Sequence, residues 1–287
     1  MISFPNCKIN LGLHICNKRP DGYHNIETIF FPVQWFDILE VVNKGTAVNG
    51  LVPAKYHRHQ FENIDFSLSG IDLPGAVEKN IVIKAYELLK KDFSSLPPVQ
   101  IHLHKNIPAG AGLGAGSADA AFALQLLNNK FNLHLSASLL LDYAFQLGSD
   151  CPFFIINKPC YATGRGEILE EIDLDLSSYK IVIVNPGIHV NTAEAFSLVT
   201  PTLPVTSLKE IISKDINEWK DILANDFEAV VCNRYPAIKK IKETLYKTGA
   251  LYASMSGSGS TVYGIFSKEN KFENFQKTFT GCIVKLS

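Results

Sequence analysis

The sequence predicts an α+β protein in two domains. Period-two strand patterns and helical patterns are intermixed along its 287 residues, and hairpin signals occur beside crossovers. The character of the chain also changes after Pro159, which sets expected segments of 1–158 and 159–287.

Each element follows from its pattern. In CKINLGLHI, Ile9, Leu11, Leu13 and Ile15 point one way and Lys8, Asn10, Gly12 and His14 the other, the signature of a half-buried strand. RPDG is a turn, with Pro20 pre-setting φ and Gly22 closing it. TIFFPVQWFDILEVV is strand-rich, and the polar-aromatic stretch from Asn49 to Phe66 reads as a loop or weak hairpin. Residues 80–91 have helical spacing, and VQIHLHKNI at 99–107 alternates as a strand. Helices are expected at about 117–129 and 136–146, the second stopped by Gly148 in the position of a C′ residue. Beyond 159, YKIVIVNP is a buried strand and NTAEAFSLV a short helix. INEWKDILANDFEAVV and PAIKKIKETLYKTG are amphipathic helices, ALYASMSGSGSTVYGIF is two strands around a Ser-Gly linker, and a last helix and strand close the chain.

Bulk properties exclude some functions. A net charge of −1 and a pI near 6.7 provide no field for nucleic acid or an anionic membrane, so an anionic ligand must be held by local donors. None of the six cysteines forms a CxxC pair, no basic n-region precedes an apolar run, and no apolar run approaches the ~18 residues of a membrane span. These features predict a reduced, cytoplasmic protein without membrane or nucleic-acid partners; monomer and homodimer both stay open.

The chemistry concentrates in PAGAGLGAGSADAA, residues 108–121. Glycine supplies positive φ and close approach, and a helix N-terminus presents free N–H groups to an anion, most often phosphate. Ser117 is expected to open that helix. No G-K-[ST] follows, G-x-G-x-x-G is not satisfied, and the HRD and DFG elements of protein kinases are absent, so the loop is a strand–loop–helix anion site of another kind.

That stretch resembles the second motif of the GHMP kinases (galactokinase, homoserine kinase, mevalonate kinase, phosphomevalonate kinase), written P-x-G-x-G-L-G-[SG]-S. CKINLGLHICNKRPDGYHNIET and MSGSGSTVYGIF resemble the family's first and third motifs, in the order it requires. K-I-N-L followed by DGYH, with LGSDCPFF and PGIHVNTAEAF, is similar to the branch acting on a cytidine-diphosphate-linked methylerythritol. The resemblance runs from about residue 5 to 266. It implies a two-domain GHMP kinase fold, the N-terminal domain of ribosomal protein S5 domain 2-like type and the C-terminal one ferredoxin-like. It also implies phosphoryl transfer from ATP, with Mg²⁺, to the C2 hydroxyl of that alcohol in the non-mevalonate route to isoprenoids.

Motif by motif, the resemblance assigns Asp150 as the catalytic aspartate that takes the hydroxyl proton, with Lys8 as its partner. Phosphoryl transfer asks mainly for an in-line nucleophile and an acceptor for its proton. Asn10 shares the strand face of Lys8. Tyr23 is implied to stack on the cytosine, His24 to read its edge, Phe196 to cover its other face and Thr192 to lie near the substrate. Lys105, Pro108, Gly110, Gly112, Leu113, Gly114, Gly116 and Ser117 correspond to the nucleotide site, with Ser117 a candidate to approach Mg²⁺. Gly257 and Gly259 would let the SGSG linker come close as an auxiliary loop. On the residues alone, Asp150 reads as a cap before Pro152 and Lys8 as solvated, while Phe196 as core and the linker as a mobile turn stay open.

His102 and His104 share a strand face but lack a third ligand at metal spacing, so no resident metal is expected. Ala115 stands where the branch usually has glycine, at a cost of roughly 1–2 kcal/mol if its φ must be positive. Ala118 replaces a serine, and Asn6-Cys7 stand where Pro-Ala is common. Two alternatives stay open: a GHMP kinase for another small alcohol, against which DGYH argues, and a non-catalytic nucleotide-binding regulator, against which Lys8 with Asp150 argues.

Overall fold

A computed structural model describes residues 1–45, 57–73, 75–272 and 275–287. The described chain falls into two compact units.

The first unit comprises Met1–Cys7, Trp35–Ala109 and Gly114–Asn157. Its five-stranded sheet runs Ile2–Ser3, Ile38–Asn43, Val99–Lys105, Ile64–Gly70, His57–Gln60. Ile64–Gly70 pairs parallel with Val99–Lys105, and His57–Gln60 returns as a hairpin, so the expected weak hairpin is present from residue 57; residues 49–56 lie outside the described residues. Val99, Ile101 and Leu103 alternate into a core with Tyr86, Leu89, Leu124 and Leu127 from the helices Ile81–Asp92 and Ala115–Lys130. Each such side chain contributes about 1.5–3 kcal/mol by leaving water. Asn80 accepts from the Val82 amide and Ser136 from that of Leu139, which starts Ile81–Asp92 and Ala137–Leu147 where the sequence placed them.

Two expectations change here. The glycine-loop helix begins at Ala115, not Ser117, with Gly114 as its N-cap at φ 67°. Ala115 is therefore helical and carries no left-handed strain. Gly148 ends its helix at φ 170°, extended backbone and not the left-handed C′ conformation expected.

The second unit comprises Lys8–Gln34, Gly110–Leu113 and Lys158–Ser287. One of its sheets orders Asn6–Lys18, His24–Phe36, Cys160–Thr163, Ile168–Glu171. Thr28–Phe30 pair with Cys160–Ala162, which draws the first long hairpin into this unit. The compact units break between Asn157 and Lys158, and residues 8–34 and 110–113 fall in the second. The other sheet is antiparallel, in the order Tyr252–Met255, Val262–Ser267, Tyr179–Asn185, Ile283–Leu286. With Phe227–Arg234 and Pro236–Lys247 after its first strand and Phe275–Thr278 before its last, this is a β-α-β-β-α-β ferredoxin-like arrangement.

The single helix expected over INEWKDILANDFEAVV is broken into Trp219–Ile222 and Phe227–Arg234. The break is held by hydrogen bonds to the first long strand. Leu13 N–H donates to Ala224 O, Asp226 N–H to Leu13 O, and Ile15 N–H to Asp226 Oδ2. A continuous helix would consume those backbone groups internally.

Candidate active site

In the second unit, strand alternation puts Lys8 and Asn10 on one face, and both are buried, Lys8 to 3% exposure. The expected half-buried strand is in fact covered on both faces over residues 6–13. Lys8 Nζ donates to Asn10 Oδ1 at 2.6 Å and to the Gly112 carbonyl at 3.4 Å, and lies 4.8 Å above the Phe30 ring centroid. Lys8 N–H donates to Leu113 O at 3.0 Å, so this lysine grips the glycine loop by backbone and side chain. Asn10 is fixed in turn, its Nδ2 donating to Thr28 Oγ1 at 2.9 Å and its carbonyl accepting from Tyr263 OH at 2.7 Å.

The SGSG segment braces the same loop. Ser256 Oγ donates to Gly112 O at 2.7 Å and Thr261 N–H to Ala111 O at 3.2 Å. A Cβ on Gly112 (φ +78°) would lie 2.0 Å from Ser256 O, so only glycine permits this approach. Gly257 lies 3.4 Å from Gly112, measured from where its own Cβ would stand. Gly259 has φ +94° in the same turn, and its carbonyl lies 3.2 Å from the place of the Gly112 Cβ. Buried Asn225 holds the segment from below, its Nδ2 donating to Met255 O at 2.7 Å and Gly257 O at 2.9 Å.

Tyr23 sits on the expected tight turn, where Gly22 N–H donates to Arg19 O and Arg19 N–H to Tyr23 O. Its ring is 55% exposed, with the Arg165 guanidinium 4.6 Å from its centroid. Phe196 stacks on His24 at 4.9 Å and 13°, and meets Phe227 edge-on at 4.9 Å. One face of its ring is thus covered by the imidazole, whose pKa burial and then Lys18 push below the usual histidine range. Thr192 Oγ1 is 2.9 Å from Ser258 Oγ, which ties the short helix Thr192–Leu198 to the SGSG segment.

In the first unit, the strand Val99–Lys105 leads through Pro108 to the loop, and Gly114, Gly116 and Ser117 open the helix after it. Gly110, Gly112 and Gly114 all have φ between 63° and 78°. Gly116 is helical, with nothing within 4 Å of where a Cβ would stand, and Ser117 bonds the Cys151 thiol. Lys105 requires correction. It shares the core face of Val99, Ile101 and Leu103, is 1% exposed, and is paired with Asp37 and, at 2.6 Å, Asp119. Its ammonium is enclosed by carboxylates and is no cation offered to a ligand. Burial pushes Asp119 up to about 7, against the pull of Lys105. Asp150 stands half-buried at the N-cap position of the helix Cys151–Ile156, without a side-chain capping bond to it.

Sequence reasoning missed Thr28, Asn225, Ser256, Asp37 and Asp119. Asn225 carried a signal, a polar residue inside an apolar helical pattern; Asp119 lay within the quoted motif. His102 and His104 are hydrogen-bonded to Ser67 and Ser69 across the sheet. Among the described residues no group of three or more His, Cys, Asp or Glu could hold a metal ion, and no helix is long and apolar enough to cross a membrane.

Comparison with known proteins agrees with these features. The family model described as GHMP kinases N terminal domain matches residues 80–158, and GHMP kinases C terminal matches residues 207–280. The chain is 53% identical over 271 residues to a 4-diphosphocytidyl-2-C-methyl-D-erythritol kinase of Bacteroides fragilis, covering 94% of each. It is 47% identical to the one from Cytophaga hutchinsonii, covering 100% of both. Among solved structures it is similar to a 4-(cytidine 5'-diphospho)-2C-methyl-D-erythritol kinase, with a TM-score of 0.78 at 26% identity over 100% of this chain and 98% of that one. A homoserine kinase from Cytophaga hutchinsonii shares the fold, with a TM-score of 0.68 at 15% identity, over 99% of this chain and 94% of that one.

Proposed function

The chain belongs to the GHMP kinase family, in the branch of the 4-diphosphocytidyl-2-C-methyl-D-erythritol kinases, and we propose that it phosphorylates the C2 hydroxyl of that cytidine-linked alcohol with ATP. This is a step toward isoprenoid precursors by the non-mevalonate route. The observation that carries the reading is the grip of Lys8 on Asn10 Oδ1 and Gly112 O, which fixes a buried ammonium against a loop of left-handed glycines.

In the proposed reaction the C2 oxygen forms a bond to the γ-phosphorus while the bond from that phosphorus to the β,γ-bridging oxygen breaks, releasing ADP. Asp150 takes the hydroxyl proton, and Lys8 steadies the charge that develops on the oxygen. Amides of the Gly110–Gly116 loop and the N-terminus of the helix Ala115–Lys130 hold the phosphates. The Ser117 hydroxyl, at the start of the helix, would be the protein ligand for an Mg²⁺ ion otherwise held by substrate phosphates and water, and that ion would offset phosphate charge.

Tyr23 supplies an exposed ring for the cytosine, and Thr192 with Ser258 lines the acceptor. Phe196, stacked on His24, completes the aromatic surface offered to the base. Six free thiols, with Cys151 and Cys160 pushed up to about 12 by burial, fit a cytoplasmic setting.

The test is ADP release with Mg-ATP and a panel of acceptors. Turnover with 4-diphosphocytidyl-2-C-methyl-D-erythritol alone is expected. Turnover confined to mevalonate, homoserine or galactose would overturn the substrate assignment.

A further inference from the structure

We propose that Asp37, Lys105 and Asp119 form a buried staple that closes the base of the ATP phosphate loop, making the two aspartates positioning residues for phosphoryl transfer and Lys105 their link. The inference rests on the reading of Gly110–Ser117 as the phosphate loop.

The loop leaves the first unit after Ala109 and re-enters it at Gly114, so its two ends are anchored in one body. At the entry, Asp37 Oδ1 accepts from the amides of Asn106 at 2.6 Å and Ile107 at 2.9 Å. Its other oxygen accepts from Lys105 Nζ. The same ammonium donates to Asp119 Oδ2 at 2.6 Å, and Asp119 stands near the start of the helix Ala115–Lys130, at the loop's exit. One lysine thus joins the residues immediately before the glycines to the helix immediately after them.

All three side chains are at most 3% exposed. The Lys105 backbone is pinned as well, its carbonyl accepting from Ile71 N–H at 2.8 Å. Asp119 Oδ1 is buried without a hydrogen-bond partner. Two carboxylates around one ammonium in a dry core are no economical way to gain stability, because the desolvation penalty offsets most of the attraction. What such an arrangement does supply is direction. It fixes the spacing of the loop ends, and a glycine-rich loop has little else to limit its conformations. A loop ordered in advance pays less entropy on binding, and the gain appears in nucleotide affinity.

The alternative is that Lys105 itself reaches the nucleotide, and the two readings predict opposite signs. Above pH 7, where the Asp119 carboxyl is ionised, Asp119→Asn keeps the shape and the acceptor oxygen but removes the charge that holds the ammonium. If Lys105 is the staple, Mg-ATP binding by calorimetry weakens on the order of tenfold, while affinity for the cytidine-linked acceptor is unaltered. If Lys105 is a ligand contact, loosening it tightens ATP binding. Unchanged or tighter binding in Asp119→Asn overturns the staple.

Asp37→Asn leaves an acceptor for the Asn106 and Ile107 amides and is expected to act in the same direction. Lys105→Arg guards against a loss of fold in either variant: it keeps the cation but replaces the compact ammonium, and unaltered ATP affinity in that folded protein also overturns the proposal. Failure of the unsubstituted protein to bind Mg-ATP in the same titration would instead refute the phosphate-loop reading.

Discussion

Gly112 and Gly116, four positions apart in the motif, should respond to the same substitution with opposite changes in stability. In Gly112→Ala the new Cβ falls 2.0 Å from Ser256 O and 2.9 Å from Ser256 C, both backbone atoms. They cannot retreat easily, because Asn225 holds the carbonyls on either side, those of Met255 and Gly257. Alanine at φ +78° adds roughly 1–2 kcal/mol of left-handed strain, and overpacking about 1–3 kcal/mol. The expected loss is therefore about 2–5 kcal/mol, a fall of roughly 4–20 °C in Tm for a chain of this size. Gly116 lies in the first turn of its helix with nothing within 4 Å of its Cβ position. Alanine there gains about 0.5–1 kcal/mol of helix stability, or roughly 1–4 °C. The same methyl occupies space assigned to a phosphate, so ATP affinity should fall even as Tm rises, by about 5- to 150-fold for 1–3 kcal/mol of crowding. Calorimetric melting and Mg-ATP titration of both variants read these effects. An undiminished Tm in Gly112→Ala would refute the close approach, and unaltered ATP affinity in Gly116→Ala would refute the phosphate placement.

Three further outcomes are expected. Asp150→Asn should retain binding of ATP and acceptor while kcat falls about 10²–10⁴-fold, the usual contribution of a general base; steady-state turnover at full strength would sink that assignment. Tyr23→Ala should raise KM for the cytidine-linked acceptor by an amount equivalent to about 1–3 kcal/mol of stacking, with KM for ATP unaffected. Asp119, raised to about 7 by burial beside Asp37 and Lys105, binds a proton in the folded state that the unfolded chain has released. Its contribution to stability is therefore fully present below about pH 4 and is lost as pH rises through 7. Urea midpoints of Asp119→Asn relative to the unsubstituted protein should climb between pH 5 and 8, whereas parallel profiles would refute the shift.

Local pattern made much of this legible. Asn80 and Ser136 cap helices at the expected starts, and period two put Lys8 and Asn10 on one face, where they are hydrogen-bonded. The burial of Lys105 was also encoded, because it continues the apolar series Val99, Ile101, Leu103; the family resemblance overrode that signal. Other features needed tertiary partners. The helix expected through Asn225 and Asp226 breaks because their backbone and side chains satisfy Leu13, Ile15 and the SGSG carbonyls, groups more than two hundred residues away or on another strand. The stacking of His24 on Phe196 is likewise a meeting of distant segments that no local periodicity encodes.

The most direct test follows the phosphorus itself. Incubation of the protein with Mg-ATP and 4-diphosphocytidyl-2-C-methyl-D-erythritol, monitored by phosphorus NMR, should yield ADP and an equal amount of a new phosphomonoester on the C2 oxygen. Consumption of ATP without that ester, or no reaction in folded protein that binds both ligands, would contradict the assignment.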